Sequence, residues 1–512
     1  MVKTRPLALL ASAATTLTLG LALGVTTAPA SVAAEHTATD GCLPSVDETD
    51  PLEPGPVEIC YTLFQPAGAS AGSPVPMVLH SHGWGGSRNS APDSFQGLLD
   101  AGFGVLSFDQ RGFGESGGKA HVEDPAFEGE DVINVVDFVA SLDWVRQEAA
   151  NDPVLGAIGG SYGGGYQFVG AFTELMQTGS TRFDALVPEI TWFSLNESLA
   201  PQQVVRTAWA SALYAAGADA HTSTVHAGFA EGAATGNWPE SMEEFFRDNG
   251  PAFHVEQGRR LDIPVLLRQG ASDNLFPLDQ AIKNYDRALT DSARGRSILV
   301  GYNGGHALPS AMPPGYATAG DACSGTLGGA AVQGWDDLQR QFLAENLQGA
   351  PPALTGHGQY HLTTADGECL TVDSIDPTQS FGLPDIATTA GAGAPQAVKI
   401  ADGPLTVAGT PYVDATVTAL GADSRAFFAL SVGTSPADAR VVQNNVLPHR
   451  ETSLNTPEER TIELPSVAAE VPAGQSLFLT VSPVSDMFGG HGSRTPGAMT
   501  LADVTVRVPV VQ

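Results

Sequence analysis

The stretch that decides the fold reads Val154-Leu155-Gly156-Ala157-Ile158-Gly159-Gly160-Ser161-Tyr162-Gly163. Its apolar first half is typical of a short buried strand, its second half matches the pattern G-x-S-x-G, and a helical pattern follows over residues 166–176. Such a sharp strand-to-helix turn lifts a serine hydroxyl above the end of a parallel sheet. We therefore predict that Ser161 is a nucleophile.

A second match to the same pattern lies upstream, at Gly114-Glu115-Ser116-Gly117-Gly118. The pattern is weak by itself, because glycine and serine are abundant in this chain. Ser116 is followed by Gly, Lys, His and Pro rather than by a helical pattern, so we expect a glycine-rich loop there. Context favours Ser161 as the nucleophile.

Further apolar runs alternate with helical patterns on both sides of the elbow. The runs predict buried strands, and residues 130–148 carry valines and a leucine at helical spacing. This alternation indicates a parallel sheet covered by helices on both faces. A helix-rich stretch at about 191–260 interrupts the rhythm and is predicted to be an inserted cap, and residues 335–347 are predicted to form the closing helix. The predicted strands cover residues 75–80, 103–108, 154–158, 263–267 and 297–300.

A serine hydroxyl needs a base, and the base needs an orienting carboxylate. In a wound sheet of this kind the chain order is Ser, then Asp or Glu, then His, with each residue just after a strand. Asp273 follows the run at 263–267, and His306 follows the run at 297–300. We predict a triad of Ser161, Asp273 and His306. Asp279 is the nearest rival carboxylate, but its position favours the start of the next helix.

Acyl transfer also needs hydrogen-bond donors for the developing oxyanion. The backbone N–H after the nucleophile belongs to Tyr162. The loop His82-Gly83-Trp84-Gly85-Gly86 follows the first core strand and offers the backbone N–H of Trp84. We expect these two backbone groups to form the oxyanion hole, with a simple glycine-rich turn as the alternative for the second loop.

The two ends of the chain differ from its middle. Lys3 and Arg5 precede an uncharged apolar run and small residues, which predicts a secretory signal peptide over residues 1–34, with a membrane anchor as the alternative. The catalytic region is predicted to cover 35–350. Residues 351–512 show short alternating runs separated by Gly, Pro and Asp, typical of an all-β sandwich.

The cysteine count and the net charge bear on the disulfide pairing and on the classes of binding partner. Export permits disulfides, and three pairings are possible; the sequence-local pairing joins Cys42 with Cys60 and Cys323 with Cys369. A formal net charge of −32 with only four lysines argues against binding nucleic acid or anionic lipid. No motif for a cofactor or a metal site is found.

The motifs together resemble a known family. The Gly-x-Ser-Tyr-Gly-Gly elbow, the upstream Asp109-Gln110-Arg111-Gly112-Phe113-Gly114-Glu115-Ser116-Gly117-Gly118 and the trailing β-sandwich are similar to the X-Pro dipeptidyl-peptidase and cocaine-esterase family. The resemblance implies an α/β-hydrolase core, a helical cap and a jelly-roll domain that closes over the active site. The family often has a tyrosine side chain in the first oxyanion loop, where this chain has His-Gly-Trp-Gly-Gly, closer to lipases and esterases.

Three functions follow as hypotheses. The first is a secreted serine hydrolase that acts through an acyl-enzyme and releases N-terminal Xaa-Pro dipeptides. The second is a carboxylesterase of the cocaine-esterase type, which needs no anchor for a substrate ammonium group; Glu189 and Glu197 are possible anchors for the first. The third is an exported binding protein with a relic hydrolase core. An intact Ser, Asp and His order counts against the third.

Overall fold

The computed structural model describes residues 35–389, 391–493 and 497–511. The predicted signal peptide at residues 1–34 lies outside the described residues. Among the described residues, none of the helices combines the length and the apolar character that crossing a bilayer requires.

A mixed sheet forms the centre of the N-terminal region. In the described part of the chain it has ten strands in the order β1-β2-β4-β3-β7-β8-β9-β10-β11-β12, and neighbours from β4 to β11 run parallel. A small hairpin of β5 and β6 lies outside it. The strands are β1 (Thr37–Glu48), β2 (Gly55–Gln65), β3 (Met77–Ser81), β4 (Gly104–Phe108), β5 (Gln147–Ala149), β6 (Asp152–Pro153), β7 (Leu155–Gly160), β8 (Ala185–Glu189), β9 (Leu266–Gly270), β10 (Ile298–Tyr302), β11 (Tyr360–Thr363) and β12 (Cys369–Val372).

Helices cover both faces of this sheet. One face packs on the valine stripe of the second helix, Val132, Val135, Val136 and Val139, and the other packs on the closing helix. The helices are α1 (Gln96–Asp100), α2 (Glu128–Ala140), α3 (Tyr162–Thr178), α4 (Leu195–Leu199), α5 (Thr207–Gly217), α6 (Ser223–Thr235), α7 (Glu240–Phe245), α8 (Pro251–Glu256), α9 (Leu278–Lys283), α10 (Asp291–Arg294) and α11 (Trp335–Leu343).

Helices α4 to α8 form the cap. They lie in the stretch predicted from sequence, between strands β8 and β9. Aromatic and apolar residues of the cap pack together with Phe113, Tyr162 and Phe276 of the core. The cap therefore covers the end of the sheet at which Ser161 is found.

The C-terminal region consists of antiparallel sheets that share one apolar core. Two five-stranded sheets contribute alternating inward side chains to that core, which is the arrangement of a β-sandwich. The predicted fold class is thus confirmed. The strands are β13 (Gln379–Gly382), β14 (Ile386–Thr389), β15 (Gln396–Asp402), β16 (Leu405–Gly409), β17 (Tyr412–Ala419), β18 (Ser424–Gly433), β19 (Arg440–Val441), β20 (Leu447–Glu451), β21 (Glu458–Glu463), β22 (Val467–Val471), β23 (Ser476–Ser482), β24 (Ala498–Val508) and β25 (Val510–Val511).

The large sheet continues beyond residue 350. Strand β11 pairs in parallel with β10, and β12 adds an antiparallel edge. The division of the chain at residue 350 stays a prediction, and the hydrogen-bonded sheet itself reaches Val372. The two disulfides join Cys42 to Cys60 across β1 and β2, and Cys323 to Cys369, which links the loop before α11 to this edge strand.

Candidate active site

Ser161 occupies the turn between β7 and α3 with φ 59° and ψ −121°. A non-glycine residue in this region is strained, and the strain is held by neighbours: the Ser161 N–H donates to the carbonyl of Glu189 at 2.9 Å. Gly163 packs so close to β3 that a Cβ atom there would lie 2.3 Å from the Ser81 carbonyl oxygen. The second glycine of the motif is therefore required by packing.

The structure brings Ser161, His306 and Asp273 together. His306 Nε2 lies 2.9 Å from Ser161 Oγ, and His306 Nδ1 lies 2.7 Å from Asp273 Oδ2. Asp273 and His306 follow β9 and β10, so the carboxyl ends of three parallel strands supply the three side chains. Gly305, with φ +95°, lets the histidine loop pass the aspartate, because a Cβ atom there would lie 2.6 Å from Asp273 Cβ.

The side chain of Asp273 accepts hydrogen bonds at both of its oxygens. Its Oδ1 accepts from the backbone N–H groups of Leu275 and Phe276 at 2.9 and 2.8 Å, and its Oδ2 accepts from the His306 N–H at 3.0 Å. The proton of a neutral His306 must therefore lie on Nδ1, which leaves Nε2 free to accept from the serine hydroxyl.

The pKa of His306 reflects two opposing effects. Burial disfavours the charged imidazolium, but the negative charge of Asp273 and the hydrogen bond to it outweigh burial and raise the pKa above its ordinary value. The imidazole is thus a stronger base than a free histidine.

The two rivals considered from sequence have other contacts. Ser116 Oγ donates to the carbonyl of Asp109 and accepts from the N–H of Cys60, both at 2.8 Å. Asp279 lies in the first turn of α9, with Oδ2 3.4 Å from Lys283 Nζ. Both residues are tied into the local structure around them.

The predicted oxyanion donors flank Ser161. Tyr162 is the first residue of α3, and N–H groups of a first helical turn have no partner within their helix. The loop of Trp84 passes close to the elbow, since a Cβ atom on Gly83 would lie 3.7 Å from Ser161 Cβ. The indole N–H of Trp84 is already used, because it donates to the Leu213 carbonyl at 2.9 Å. The role of the Trp84 backbone N–H stays a prediction.

A histidine shapes this second loop. His82 Nε2 accepts from the N–H of Gln110 at 3.1 Å, so the ring proton lies on Nδ1 and is donated to the Gly83 carbonyl at 2.8 Å. Burial lowers the pKa of His82, which favours this neutral form despite the nearby charge of Asp109. The turn from Gly83 to Gly86 is closed by one further backbone bond.

A cavity of about 190 Å³ opens beside Ser161 and extends under the cap. Most of its wall is aromatic or aliphatic, and among the described residues no lysine, arginine, aspartate or glutamate lines it. The lining residues are Trp84, Val122, Ser161, Tyr162, Trp192, Leu195, Leu199, Val205, Thr207, Ala210, Ser211, Leu213, Tyr214, His221, Val225, Gly228, Phe229, Gly232, Ala233, Asn237, Trp238, Pro239, Met242, Phe246, Leu275, Phe276 and His491.

The two possible anchors, Glu189 and Glu197, are paired with basic residues, and Glu123 is buried. Glu189 pairs with Arg268 at 2.9 Å, and Glu197 pairs with Lys283 at 3.0 Å. Glu123 follows the lining residue Val122 but is fully buried, and burial, together with neighbouring carboxylates, raises its pKa well above the usual range. None of the three presents a charge to the cavity wall.

Sequence reasoning identified Trp84, Ser161 and Tyr162, but not the other residues that shape this cavity. They come mainly from the cap, where helices α5 and α6 contribute five residues each. Asn274 was missed as well, although it directly follows Asp273; its side chain binds the histidine loop, as described below. The available signal was the density of tryptophan and histidine in the cap. Among the described residues, no group of three His, Cys, Asp or Glu side chains is arranged to hold a metal ion.

A wound sheet with a serine elbow, a histidine loop and a cap defines an α/β-hydrolase. Residues 55–307 match the family model described as X-Pro dipeptidyl-peptidase (S15 family). The resemblance stated from sequence is therefore confirmed over these residues, and the protein is a hydrolase.

Solved structures share the whole architecture at low sequence identity. They include an aminopeptidase from a marine sediment archaeon, Thaumarchaeota archaeon (TM-score 0.62, 14% identity, 96% of this chain and 99% of that chain), and an alpha-amino acid ester hydrolase (TM-score 0.61, 14%, 95% and 98%). A CocE/NonD family hydrolase from Staphylococcus aureus is also similar (TM-score 0.59, 12%, 95% and 98%). At these identities the likeness establishes the fold.

Curated relatives match over a short segment. An uncharacterised 31.7 kDa protein from the traX-finO intergenic region of Escherichia coli is 36% identical over 97 residues, which is 19% of this chain. The chain spans about a third of that relative's length, 32%.

Proposed function

We propose that this protein is an exported serine hydrolase that cleaves uncharged, apolar carboxylic esters through an acyl-enzyme. The observation that carries the proposal is an apolar cavity, without a formally charged lining residue in the described chain, that opens directly on Ser161. Its volume suits a group somewhat larger than benzene, which fits a cavity of about 150 Å³.

The proposed mechanism follows from the hydrogen bonds. Ser161 Oγ attacks the ester carbonyl carbon while His306 Nε2 takes its proton, and Asp273 stabilises the imidazolium that forms. The N–H groups of Tyr162 and Trp84 stabilise the oxyanion. His306 then gives the proton to the departing alcohol oxygen. A water molecule, deprotonated by His306, attacks the acyl-enzyme in the same way and releases the acid.

The cavity favours an ester over an Xaa-Pro peptide. Release of an N-terminal dipeptide requires binding the substrate's ammonium group, and an unpaired charge in an apolar site costs several kcal/mol. The possible anchors named from sequence, Glu189 and Glu197, pair with Arg268 and Lys283. Dipeptide release stays a prediction of the family resemblance, with no carboxylate on the described cavity wall to support it.

Export is part of the proposal. It is supported by the signal-like residues 1–34 and by the two disulfides, which are rare in reducing compartments. The third hypothesis is a binding protein with a relic core. It gains no support from this site, because Ser161 is hydrogen-bonded to His306 and His306 to Asp273.

A fluorophosphonate probe tests the chemistry. We expect it to label the wild type and Ser116→Ala, and to leave Ser161→Ala unlabelled. Ser116 is the matched control because it belongs to the second G-x-S-x-G match. Labelling of Ser161→Ala, or no labelling of the wild type, would overturn the proposed chemistry.

A pair of isosteric esters tests the substrate class. p-Nitrophenyl heptanoate and p-nitrophenyl 6-aminohexanoate differ by a methyl group against an ammonium group at the chain end. We expect kcat/KM for heptanoate to be higher by about 100-fold or more, since the ammonium finds no countercharge. Equal rates, or faster cleavage of Ala-Pro p-nitroanilide than of either ester, would overturn the ester proposal while leaving the serine chemistry intact.

A further inference from the structure

The loop that carries His306 is held by the side chain of Asn274. The Asn274 Nδ2 group donates to the Leu308 carbonyl at 2.8 Å, and Asn274 Oδ1 accepts from the Leu308 N–H at 3.2 Å. The backbone N–H of Asn274 also donates to the His306 carbonyl at 2.9 Å. His306 lies outside any helix or strand, so its backbone is not fixed by the hydrogen bonds of regular secondary structure. The bonds to Asn274 hold it instead.

A tryptophan of the cap fixes the orientation of that amide. The Trp209 indole N–H donates to Asn274 Oδ1 at 2.8 Å, so this oxygen receives two N–H donors. A flipped amide would turn its NH₂ group toward both donors, and two facing donors repel each other. The edge of the Trp209 ring also meets the His306 ring, with centroids 5.9 Å apart and planes at 85°.

Trp209 itself is not a lining residue of the cavity, although its neighbours Ala210 and Ser211 on helix α5 are. Its ring lies between the apolar cluster of the cap, the histidine loop and the C-terminal β-sandwich, and packs against all three. Asn445 of that sandwich donates to the Asp273 carbonyl at 2.9 Å. The cap and the sandwich thus both contact the Asp273–Asn274 turn.

We propose that Trp209 and Asn274 are positioning residues for His306: the cap indole fixes the Asn274 amide, and the amide fixes the loop that presents the imidazole to Ser161. This inference rests on the roles proposed for Ser161, Asp273 and His306. It assigns to the cap a part in the proton transfer, besides forming the cavity wall.

The variant Trp209→Phe tests the inference, because it keeps an aromatic ring beside His306 and removes the N–H donor. We expect kcat on p-nitrophenyl heptanoate and the rate of fluorophosphonate labelling to fall together, by roughly fivefold for one lost hydrogen bond, with KM little changed. The acid limb of the kcat/KM profile should move to lower pH, because a looser His306–Asp273 contact raises the histidine pKa less.

Trp335→Phe is the matched control. The Trp335 indole N–H donates to the side chain of Glu189 at 2.7 Å, whereas the bond that holds Ser161 is made by the main-chain carbonyl of Glu189. The same chemical change at Trp335 should therefore move neither the labelling rate nor the acid limb. A rise in KM alone for Trp209→Phe, or an equal loss of kcat in Trp335→Phe, would overturn the inference.

A double-mutant cycle gives a second, independent readout. Asn274→Ala should lower the labelling rate by on the order of 30-fold, and adding Trp209→Phe should lower it no further, because the indole acts through the amide. Additive losses would overturn the inference. Absence of labelling in the wild type would instead overturn the proposed function on which the inference rests.

Discussion

Replacing Asp273 by Asn tests the roles assigned to Asp273 and His306, because it changes the atoms that accept hydrogen bonds from His306. Two donors of His306, the backbone N–H and the ring Nδ1–H, converge on Asp273 Oδ2 at 3.0 and 2.7 Å. The other oxygen, Oδ1, receives the N–H groups of Leu275 and Phe276. An asparagine keeps one oxygen, so its NH₂ group must face donors on one of the two sides.

The clash between the NH₂ group and the facing donors costs least free energy on the histidine side, because the imidazole there can change its tautomer. The NH₂ group then donates to an unprotonated Nδ1, and the ring proton moves to Nε2, which faces Ser161 Oγ and can no longer accept from it. The wrong tautomer in a triad of this kind costs a factor of about 10⁴ in kcat, or roughly 5.5 kcal/mol. We expect a loss of 10³- to 10⁴-fold with an unchanged fold.

The assay is the initial rate on p-nitrophenyl heptanoate, with circular dichroism to confirm folding. Asp279→Asn is the matched control, since Asp279 is the rival carboxylate on the same segment and contacts Lys283 rather than His306. We expect that variant to keep its activity within about twofold. A loss below tenfold for Asp273→Asn, or a larger loss for Asp279→Asn, would refute the assigned roles.

Three further predictions concern pH and stability. The kcat/KM profile on the same ester should lose activity toward acid with a midpoint above pH 6.5, because the net effect of Asp273 is to raise the pKa of His306 and only the neutral ring is a base; a midpoint below 6 would contradict this. Glu123→Gln should unfold at a higher denaturant concentration than the wild type at pH 9, with the difference vanishing near pH 4. The pKa of Glu123 is raised on folding, so the folded wild type binds its proton more tightly and loses stability as pH rises above the unfolded value of about 4.5; a pH-independent difference would contradict the assignment. Removing the Cys323–Cys369 bridge by paired serine substitutions should cost about 4 kcal/mol of unfolding free energy, and removing Cys42–Cys60 about 3 kcal/mol, because the bridges close chain separations of 46 and 18 residues. Denaturant titrations of the two variants check this, and a reversed order would contradict the loop-length argument.

The elements around the elbow could be predicted because their signals are local. The strand β7, the turn at Ser161 and helix α3 each follow from a few adjacent residues. The edge strand β1 was not predicted, because it is mostly exposed and its polar sequence carries no apolar alternation. Strand β2, which lies between β1 and β4, was not predicted either. Helix α2 ends at Ala140 rather than at 148, and the residues after it turn back into a short hairpin, β5 with β6.

The residues of the candidate site also fall into a group that could be predicted from sequence and a group that could not. Ser161, Asp273 and His306 could be located because the wound sheet fixes their order along the chain and places each after a strand. The cavity wall could not, because its residues come from cap helices whose packing depends on tertiary contacts. Trp209 reaches Asn274 across 65 positions of sequence, and nothing near either residue indicates the pairing.

The difference between a peptidase and an esterase on this fold therefore lies outside the motifs. Both reactions need the same elbow, histidine loop and oxyanion donors. The G-x-S-x-G motif and the order of Ser, Asp and His along the chain therefore do not indicate the substrate. The decisive feature is whether a charge faces the cavity, and that depends on how the cap folds. Among the described residues no acidic or basic side chain lines the cavity, and this separation of charge from the cavity is what favours an uncharged ester as the substrate.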